Sequence, residues 1–327
     1  MKDRILELLR QESGYLSGQE MSTLLGVSRA AVWKAVEALR KEGYTIDSAP
    51  NRGYHLDAPT GRLSAREIAA RLDGHPWAEL VQVLDSVDST NNLAKTLAAQ
   101  GAPAGTDLGA DSQTGGRGRM GRSFVSPPGV GVYLSVILRP EAPPEELMHL
   151  TCAVAEVLCD GIEVASGLRP GIKWTNDLVS GGRKLCGILT ELSLEAESGH
   201  VQYAVVGAGV NCDQTLSDFP PEIRDMAGSL SMLTGKAVSR NTLAAEMIRA
   251  LSRLDGDLVE NRQEWMDRYR RDCVTIGRAV SVSRAGETRW GQAVDVDDRG
   301  ALLVDFGQGP EAVQSGEVSV RGMYGYV

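Results

Sequence analysis

The chain has 327 residues and a formal net charge of −9, and 42% of its residues are hydrophobic while 5% are aromatic. This length predicts two or three domains with aliphatic cores, and the acidic balance limits any nucleic-acid contact to a local patch. No apolar run approaches the roughly 18 residues of a transmembrane helix, and the charged start lacks a signal-peptide stretch, so we expect a cytoplasmic protein without a membrane partner.

The five cysteines and four histidines show neither a disulfide pattern nor a metal-binding pattern. The number of cysteines is odd, and no two of them are spaced as C-x-x-C. Cys152 and Cys159 lie seven residues apart on a predicted helix, so both are expected to face a core. The scattered histidines make a histidine-based catalytic triad a poor hypothesis.

Residues 1–62 have the pattern of a winged helix-turn-helix. Ser17 and Glu20 form a capping box before a second helix, in which Met21, Leu24 and Leu25 are expected to face inward. A third helix begins after a capping serine at position 28. It runs through the apolar residues Val32, Trp33, Val36 and Leu39. Two short strands, near residues 44–46 and 53–56, then flank a hairpin wing.

The third helix and the wing predict a DNA-binding surface. Ser28, Arg29 and Lys34 stand near the start of the helix, where such helices meet base edges and phosphates, and Arg52 stands at the tip of the wing. Because residues 1–60 hold eight basic and eight acidic residues, operator binding is expected to need a dimer on two half-sites. A small dimerisation or scaffold module with a solvated charged face is the alternative.

After a predicted connecting helix over residues 63–75 and a strand over residues 81–84, Asp88 is followed by Ser89, Thr90 and Asn91 at the start of a helix. Serine, threonine and asparagine at this position often cap exposed amides, so capping is one interpretation of the motif.

From Gln113 to Arg122 the chain places four glycines and three arginines in ten positions. Glycine lets the backbone approach a ligand closely, and Arg117, Arg119 and Arg122 offer planar forks for phosphate or carboxylate oxygens. The segment formally matches G-x-G-x-x-G, but two prolines soon afterwards exclude the helix that a dinucleotide fingerprint must open. The segment predicts a loop around an anionic ligand. A flexible surface loop or a basic turn that contacts nucleic acid is the alternative.

Strands outnumber helices in residues 63–273, which predicts an α+β domain with a mixed or antiparallel sheet and helices on one face. Asn176 and Asp177 end a predicted strand, where they could organise Mg²⁺ through phosphates or simply form a turn. Lys184 precedes an apolar strand. It could be one cation of a charge clamp, or a charge on an edge strand that prevents aggregation. Residues 274–327 alternate in short strands around a hairpin turn at 297–300, which fits a small SH3-like β-barrel.

Five motifs in order along the chain resemble those of the biotin–protein ligases, specifically the bifunctional bacterial ligase/repressors. They are D-S-T-N at 88–91, Q-T-G-G-R-G-R-M-G-R at 113–122, K-W-T-N-D at 173–177, R-K-L-C-G-I-L at 183–189 and G-A-G-V-N at 207–211. The resemblance covers nearly the whole chain. Two positions depart from it, because Thr175 stands where the family often has proline, and Ser123-Phe124 stands near a tryptophan-containing segment of the family. The second departure is expected to alter the wall beside biotin.

The resemblance implies a set of site residues. Those implied for biotin are Ser89, Thr90, Asn91, Gln113, Arg117, Gly118, Arg119, Lys184 and Gly187. Those implied for ATP or the adenylate are Arg117, Arg119, Arg122, Asn176, Lys184, Asn211 and Arg321. Lys184 and Arg119 are implied as catalytic residues, and Asp177 as a Mg²⁺ ligand that acts through the ATP phosphates. From the residues alone, Arg321 could equally be a solvated strand charge.

The resemblance also implies a reaction and partners. Biotin and ATP would form biotinyl-5′-adenylate, and biotin would pass to a lysine of the biotin carboxyl carrier protein of acetyl-CoA carboxylase. The adenylate-bound homodimer would bind operator DNA and repress biotin genes. Three other hypotheses are a lipoate ligase of the same central fold, a ligase without repressor activity, and a ligand-sensing transcription factor with an inactive core. The glycine- and arginine-rich loop favours biotin over lipoate, and Gln113, Arg117, Arg119 and Lys184 argue against an inactive core.

Overall fold

A computed structural model describes residues 1–12, 14–41, 44, 46–49, 52–56, 62–195, 197, 199–284, 287–314 and 319–322. The chain forms two compact units, Met1–Arg62 and Leu63–Val327. Within the described residues, no helix has the length and hydropathy needed to cross a membrane. The predicted border between a central and a C-terminal domain at residues 273 and 274 stays a prediction.

The N-terminal unit confirms the predicted helix-turn-helix. Its elements are α1 (Lys2–Gln11), α2 (Gly18–Leu25), α3 (Arg29–Lys41), β1 (Ile46–Ala49) and β2 (Gly53–Leu56), and the two strands pair antiparallel. The predicted capping box is present, because Ser17 Oγ accepts from the Glu20 N–H at 3.1 Å and the Glu20 carboxylate accepts from the Ser17 N–H at 3.0 Å. Ser28 Oγ accepts from the Ala31 N–H at the start of α3.

Leu24 and Trp33, two apolar residues of the predicted helices, lie outside the core of this unit. Leu24, predicted to face inward, is 62% exposed, so that prediction is wrong. Met21 is fully buried and Leu25 packs against the same core. The buried side of α2 is therefore narrow, and Leu24 lies outside it. Trp33 is 54% exposed, because the buried residues of α3 follow the helical repeat and position 33 lies about 100° away from position 32.

The larger unit is built on a seven-stranded mixed sheet, as predicted. Its strands are β3 (Val81–Leu84), β4 (Asp107–Ala110), β5 (Gly131–Leu138), β6 (Gly171–Lys173), β7 (Asp177–Ser180), β8 (Arg183–Leu194) and β9 (Val201–Asn211). Their order across the sheet is β3-β4-β5-β9-β8-β7-β6. Only β3 and β4 pair in parallel, and the other neighbours are antiparallel.

Helices cover both faces of this sheet, which corrects the expectation of helices on one face. They are α4 (Ala65–Arg71), α5 (Thr90–Ala99), α6 (Leu150–Ser166), α7 (Leu230–Thr234), α8 (Arg240–Ser252) and α9 (Arg262–Asp272). Leu134 and Val136 of β5 belong to the large core that includes residues of α4, α6 and α8, whereas Ile137 packs with Ala94 and Ala98 of α5. Since side chains alternate along a strand, α5 lies on the opposite face. Every residue of β5 is buried, which is the pattern of a strand covered on both faces.

The C-terminal strands form a separate five-stranded antiparallel sheet. They are β10 (Ala279–Arg284), β11 (Glu287–Val296), β12 (Leu302–Asp305), β13 (Pro310–Val313) and β14 (Ser319–Gly322), in the order β13-β12-β11-β10-β14. The predicted hairpin turn lies between β11 and β12, where the Gly300 N–H bonds the Asp297 carbonyl. The predicted closure into an SH3-like barrel stays a prediction.

The cysteines are all buried free thiols. Cys152 and Cys159 of α6 are 1% and 0% exposed, which confirms that both face the core. The described ranges hold no cluster of three or more metal-binding side chains.

Candidate active site

A cavity of about 560 Å³ lies on the α5 face of the seven-stranded sheet. The predicted residues that line it are Ser89, Thr90, Asn91, Gln113, Arg117, Gly118, Arg119, Arg122, Asn176, Asp177, Lys184, Gly187 and Asn211. Five separate segments of the chain therefore meet at one place. Arg321 pairs with Ser281 in the C-terminal sheet through its backbone, and its side chain lies outside the described part of the chain.

The lining also contains residues outside the implied set of site residues, although Ser123 and Phe124 had been expected at the wall beside biotin. The further residues are Met120, Ser123, Phe124, Val125, Leu134, Lys173, Trp174, Ile188, Leu189, Gly207, Ala208, Gly209, Phe219, Ile223, Met226 and Ala227. Gly207 and Gly209 belong to a motif that the resemblance had marked, so a signal for them existed. The apolar residues between Phe219 and Ala227 come from an irregular segment after β9 that carries no local signal.

At the start of α5, polar side chains form a hydrogen-bond chain beside the cavity. Gln113 Oε1 accepts from the Thr90 N–H at 2.9 Å and from Thr90 Oγ1 at 3.2 Å. Ser135 Oγ lies 2.7 Å from Thr90 Oγ1 and 2.6 Å from Asn91 Oδ1. Ser89 occupies the N-cap position, but its side chain makes no capping hydrogen bond. Capping therefore does not account for this motif.

Glycines form the floor of the cavity because side chains lie directly on the backbone there. A Cβ atom on Gly207 would lie 1.9 Å from Asn91 Oδ1, and one on Gly209 would lie 2.5 Å from the Phe124 ring. A Cβ atom on Gly187 would lie 3.1 Å from the same ring. Phe124, in the segment that departs from the family pattern, thus packs against the floor.

Three cations of the cavity each have a resident polar partner. Lys184 Nζ donates to Asp177 Oδ1 at 2.6 Å, and Arg119 Nη1 donates to Asn176 Oδ1 at 2.9 Å. Arg117 donates to the side-chain oxygen of Asn92 at 2.9 Å. These positive groups converge on the cavity with their orientations already restrained.

Two alternative interpretations are weakened by this arrangement. Lys184 is the second residue of β8, which lies between β9 and β7, so its charge does not lie at a sheet edge. Asn176 and Asp177 do stand at the turn between β6 and β7, yet both side chains line the cavity. Burial lowers the pKa of the Arg119 guanidinium, and the nearby Asp177 carboxylate partly offsets this effect.

The loop from residue 113 to residue 122 uses its glycines mainly for close approach. A Cβ atom on Gly116 would lie 2.3 Å from the Phe124 carbonyl oxygen. Among the loop glycines only Gly121 has a positive φ, of 73°, and it follows Met120 with a φ of 55°. Met120 is the one non-glycine residue of the described backbone with a positive φ, so this turn of the loop is strained.

The segment that carries Asn176 and Asp177 is held from the C-terminal side. The Trp174 N–H donates to Thr275 Oγ1 at 2.9 Å, and Trp174 Nε1 donates to the Gly300 carbonyl at 3.0 Å. Tyr269 donates its hydroxyl hydrogen to the Thr175 carbonyl at 3.2 Å. The peptide bond between Trp174 and Thr175 is cis. The C-terminal sheet therefore helps to position one wall of the cavity.

The predicted DNA-binding residues all belong to the N-terminal unit. Arg29 and Lys34 are exposed on α3, and Ser28, also exposed, caps that helix. The Arg52 guanidinium stacks over the Tyr15 ring at 4.3 Å, which holds it beside the wing. Arg29 and Lys34 therefore give α3 two exposed basic groups, and the first turn of this helix holds no acidic residue.

Known protein families match both units of the chain. Three family models match: an HTH domain over residues 2–55, the biotin/lipoate A/B protein ligase family over residues 83–211, and the biotin protein ligase C-terminal domain over residues 275–321. The bifunctional ligase/repressor BirA of Bacillus spizizenii is 35% identical over 98% of each chain, and that of Escherichia coli K12 is 31% identical over 98% of this chain and 99% of its own.

A solved structure gives the same result for the larger unit. The biotin protein ligase from Aquifex aeolicus in complex with biotin and ATP is 28% identical, with a TM-score of 0.63, and the match covers 74% of this chain and 98% of that one. The HTH match, the ligase match and the full-length relatives together identify the chain as a member of the bifunctional ligase/repressor family.

Proposed function

We propose that the cavity joins biotin to ATP and that the chain then biotinylates a lysine of the biotin carboxyl carrier protein of acetyl-CoA carboxylase. The observation that carries this proposal is the convergence of Arg117, Arg119 and Lys184 on one cavity whose other end is a buried polar network. A carboxylate and a triphosphate repel each other, so fixed cations between them lower the barrier to their reaction.

In the first step a biotin carboxylate oxygen attacks the α-phosphorus of ATP. A new oxygen–phosphorus bond forms, the bond from that phosphorus to the bridging oxygen breaks, and pyrophosphate leaves with the electron pair. Lys184 contacts both the carboxylate and the α-phosphate, while Arg119 and Arg122 neutralise phosphate oxygens. Asn176 and Asn211 hold the nucleotide, with Arg321 as a further contact. No protein nucleophile takes part, so the buried cysteines are not required.

In the second step the carrier lysine attacks the acyl carbon of the adenylate, and AMP leaves. Water would hydrolyse this mixed anhydride, so the loop from residue 113 to residue 122 closes over it. Its glycines and the strained turn at Met120 let that backbone rearrange around the ligand. Gly118 and Gly187 contribute backbone contacts to biotin at this end of the cavity.

A magnesium ion accompanies ATP in this proposal. Asp177 and the neighbouring Asn176 oxygen are the metal-binding groups at the cavity, and one carboxylate together with phosphate oxygens is a donor set that Mg²⁺ favours. Bound there, the ion would withdraw charge from the phosphates. Lys184, at 2.6 Å from Asp177, orients that carboxylate.

We further propose that the N-terminal unit carries the repressor activity in the cytoplasm. Ser28, Arg29 and Lys34 would meet the major groove, and Arg52 would contact a phosphate or the minor groove. The adenylate would favour a homodimer that places two such units on an operator, since a ligand shifts only an equilibrium whose states it binds unequally.

Incubation with labelled biotin, Mg-ATP and a biotin carboxyl carrier domain tests the enzyme. We expect label in the acceptor and release of AMP and pyrophosphate. Transfer of lipoate but not biotin would identify a lipoate ligase, and transfer of neither would contradict the ligase proposal.

A gel shift tests the repressor. The probe is DNA from upstream of biotin-synthesis genes, with and without biotin plus ATP. We expect a shift only with both ligands, and Lys34→Ala should weaken it while leaving biotin transfer unchanged. Normal biotin transfer without any shift would leave a ligase that lacks repressor activity.

A further inference from the structure

Glu191, on β8, is a carboxylate that bonds Asn91 and Arg117, two residues of the cavity lining, and it has no role in the proposed reaction. Its Oε1 accepts from Lys95 Nζ at 2.8 Å and from Arg117 Nη1 at 3.4 Å, and its Oε2 accepts from Asn91 Nδ2 at 2.9 Å. Burial would raise the pKa of Glu191, but the hydrogen bonds from Lys95 and Asn91 hold it below its ordinary value. An ionised carboxylate only accepts hydrogen bonds.

The orientation of the Asn91 amide follows from these partners. Besides Glu191, the Leu189 carbonyl faces the same end of the amide, at 3.2 Å. Since both partners are acceptors, that end is the NH₂ group, and both of its hydrogens are used. Asn91 Oδ1 accepts from Ser135 at 2.6 Å and keeps one lone pair. Asn91 therefore offers a ligand an acceptor and no donor.

Gln113, across the same end of the cavity, is restrained in the complementary sense. Its Oε1 accepts from the Thr90 N–H at 2.9 Å. Its Nε2 donates to Ser126 Oγ at 2.8 Å and keeps one hydrogen. Gln113 therefore offers a ligand a donor.

We propose that Glu191 is a positioning residue that sets the hydrogen-bond polarity of this end of the cavity, so that it selects a ring carrying an N–H group beside a C=O group. The proposal rests on the proposed function, because the cyclic urea of biotin carries both groups. The dithiolane ring of lipoate carries neither. Lipoate would leave the free acceptor of Asn91 and the free donor of Gln113 buried without partners. A site built to hydrogen-bond its ligand strongly rejects a ligand that lacks the matching groups.

The test compares binding of biotin with binding of its two N-methylated ureido analogues by calorimetry, using the full chain. The variants are Glu191→Leu, which removes the acceptor, and Glu191→Gln, whose amide oxygen can still accept from Asn91. Glu141→Leu and Glu141→Gln remove an exposed carboxylate from the loop after β5 and serve as matched controls.

We expect Glu191→Leu to raise the Kd for biotin about tenfold, since a buried amide loses its fixed orientation. The Kd for at least one methylated analogue should not change, so the variant should discriminate less between biotin and that analogue. Glu191→Gln should keep most of the wild-type discrimination between biotin and that analogue. The KM for biotin should rise while kcat and the affinity for ATP stay within about twofold, which a merely structural role would not produce. Glu191→Ala carries the same test if leucine lowers the thermal midpoint.

Equal weakening of biotin and of both analogues would overturn the inference, as would wild-type affinity of Glu191→Leu for biotin. A wild-type chain that binds ATP but no biotin would overturn the proposed function together with it.

Discussion

Two sets of buried polar groups on opposite faces of the seven-stranded sheet differ in whether their hydrogen-bonding atoms have partners. On the α5 face, Thr90, Asn91 and Ser135 are nearly or fully buried, and each bonds another member of the network. On the opposite face Asp107 is 1% exposed, and its Oδ2 finds no partner in the structure. It pairs in register with Val81 and Val136, which belong to the aliphatic core. Burial raises the pKa of Asp107 to about 8.

The contrast is between polar groups that are already oriented beside the cavity and a buried carboxyl that destabilises the core. A satisfied network fixes donors and acceptors before a ligand arrives, so that little reorganisation is left for binding. An isolated buried carboxyl destabilises the fold unless it is protonated. Four substitutions test this contrast, and their expected effects decrease from Lys184→Ala to Met120→Gly.

The largest effect is expected at the cations of the α5 face. Lys184→Ala should lower the rate of biotin-dependent ATP–pyrophosphate exchange by about 10²- to 10³-fold, since one fixed donor to developing charge is lost. Lys236→Ala, which removes an exposed lysine far along the chain, is the control and should leave exchange unchanged. Normal exchange by the Lys184 variant would refute the proposed catalytic role of this lysine.

A second prediction concerns the floor beneath the network. Gly207→Ala places a Cβ atom 1.9 Å from Asn91 Oδ1, so the amide must move. Overpacking of this kind costs about 1–3 kcal/mol, and we expect biotin to bind roughly tenfold or more weakly. Calorimetry measures the affinity, and Gly14→Ala, whose nearest contact would be at 3.9 Å, is the control. Unchanged biotin affinity would mean that the network is not part of the site.

The third prediction concerns pH and the aliphatic face. The pKa of Asp107 is raised from 3.8 to about 8, so the folded state binds this proton more tightly than the unfolded chain does. Its contribution to stability is complete below pH 4 and is lost as the pH rises towards 8, by at most about 1.4 kcal/mol for each pH unit.

Asp107→Asn should remove this loss. Denaturant titrations of the full chain at pH 5, 6 and 7 compare the two proteins, with Asp73→Asn as an exposed control. If the wild type and the Asn variant keep a constant difference in the free energy of unfolding across this range, the buried carboxyl does not titrate there.

The smallest effect is expected in the arginine loop. Met120 has a φ of 55°, so Met120→Gly relieves strain and should raise the stability by about 0.5–1 kcal/mol after the larger entropy of a glycine in the unfolded chain is counted. Met120→Ala keeps a Cβ atom at the same φ and should show no gain. A differential scan detects the shift in Tm, and equal values for both variants would argue against strain at this turn.

Much of the site was readable before the structure because its chemistry is concentrated in short segments. Four glycines and three arginines in ten residues have few other uses, and the capping box of Ser17 and Glu20 is a relation between residues three apart. Spacing within one helix or one loop is a local property that does not depend on how the chain packs. The winged helix-turn-helix, the mixed sheet and the anionic-ligand loop all followed from such patterns.

Only the tertiary structure decided which distant groups meet. Glu191 reaches Asn91 across 100 positions of sequence, and Trp174 reaches Gly300 across 126. No periodicity links such pairs, because their contact depends on strand order and on which face each side chain takes. The same reason explains why α5 lies opposite the other helices of the sheet and why Leu24 is exposed. The amino-acid order determined the kinds of groups available, and the packing of the sheet determined their neighbours.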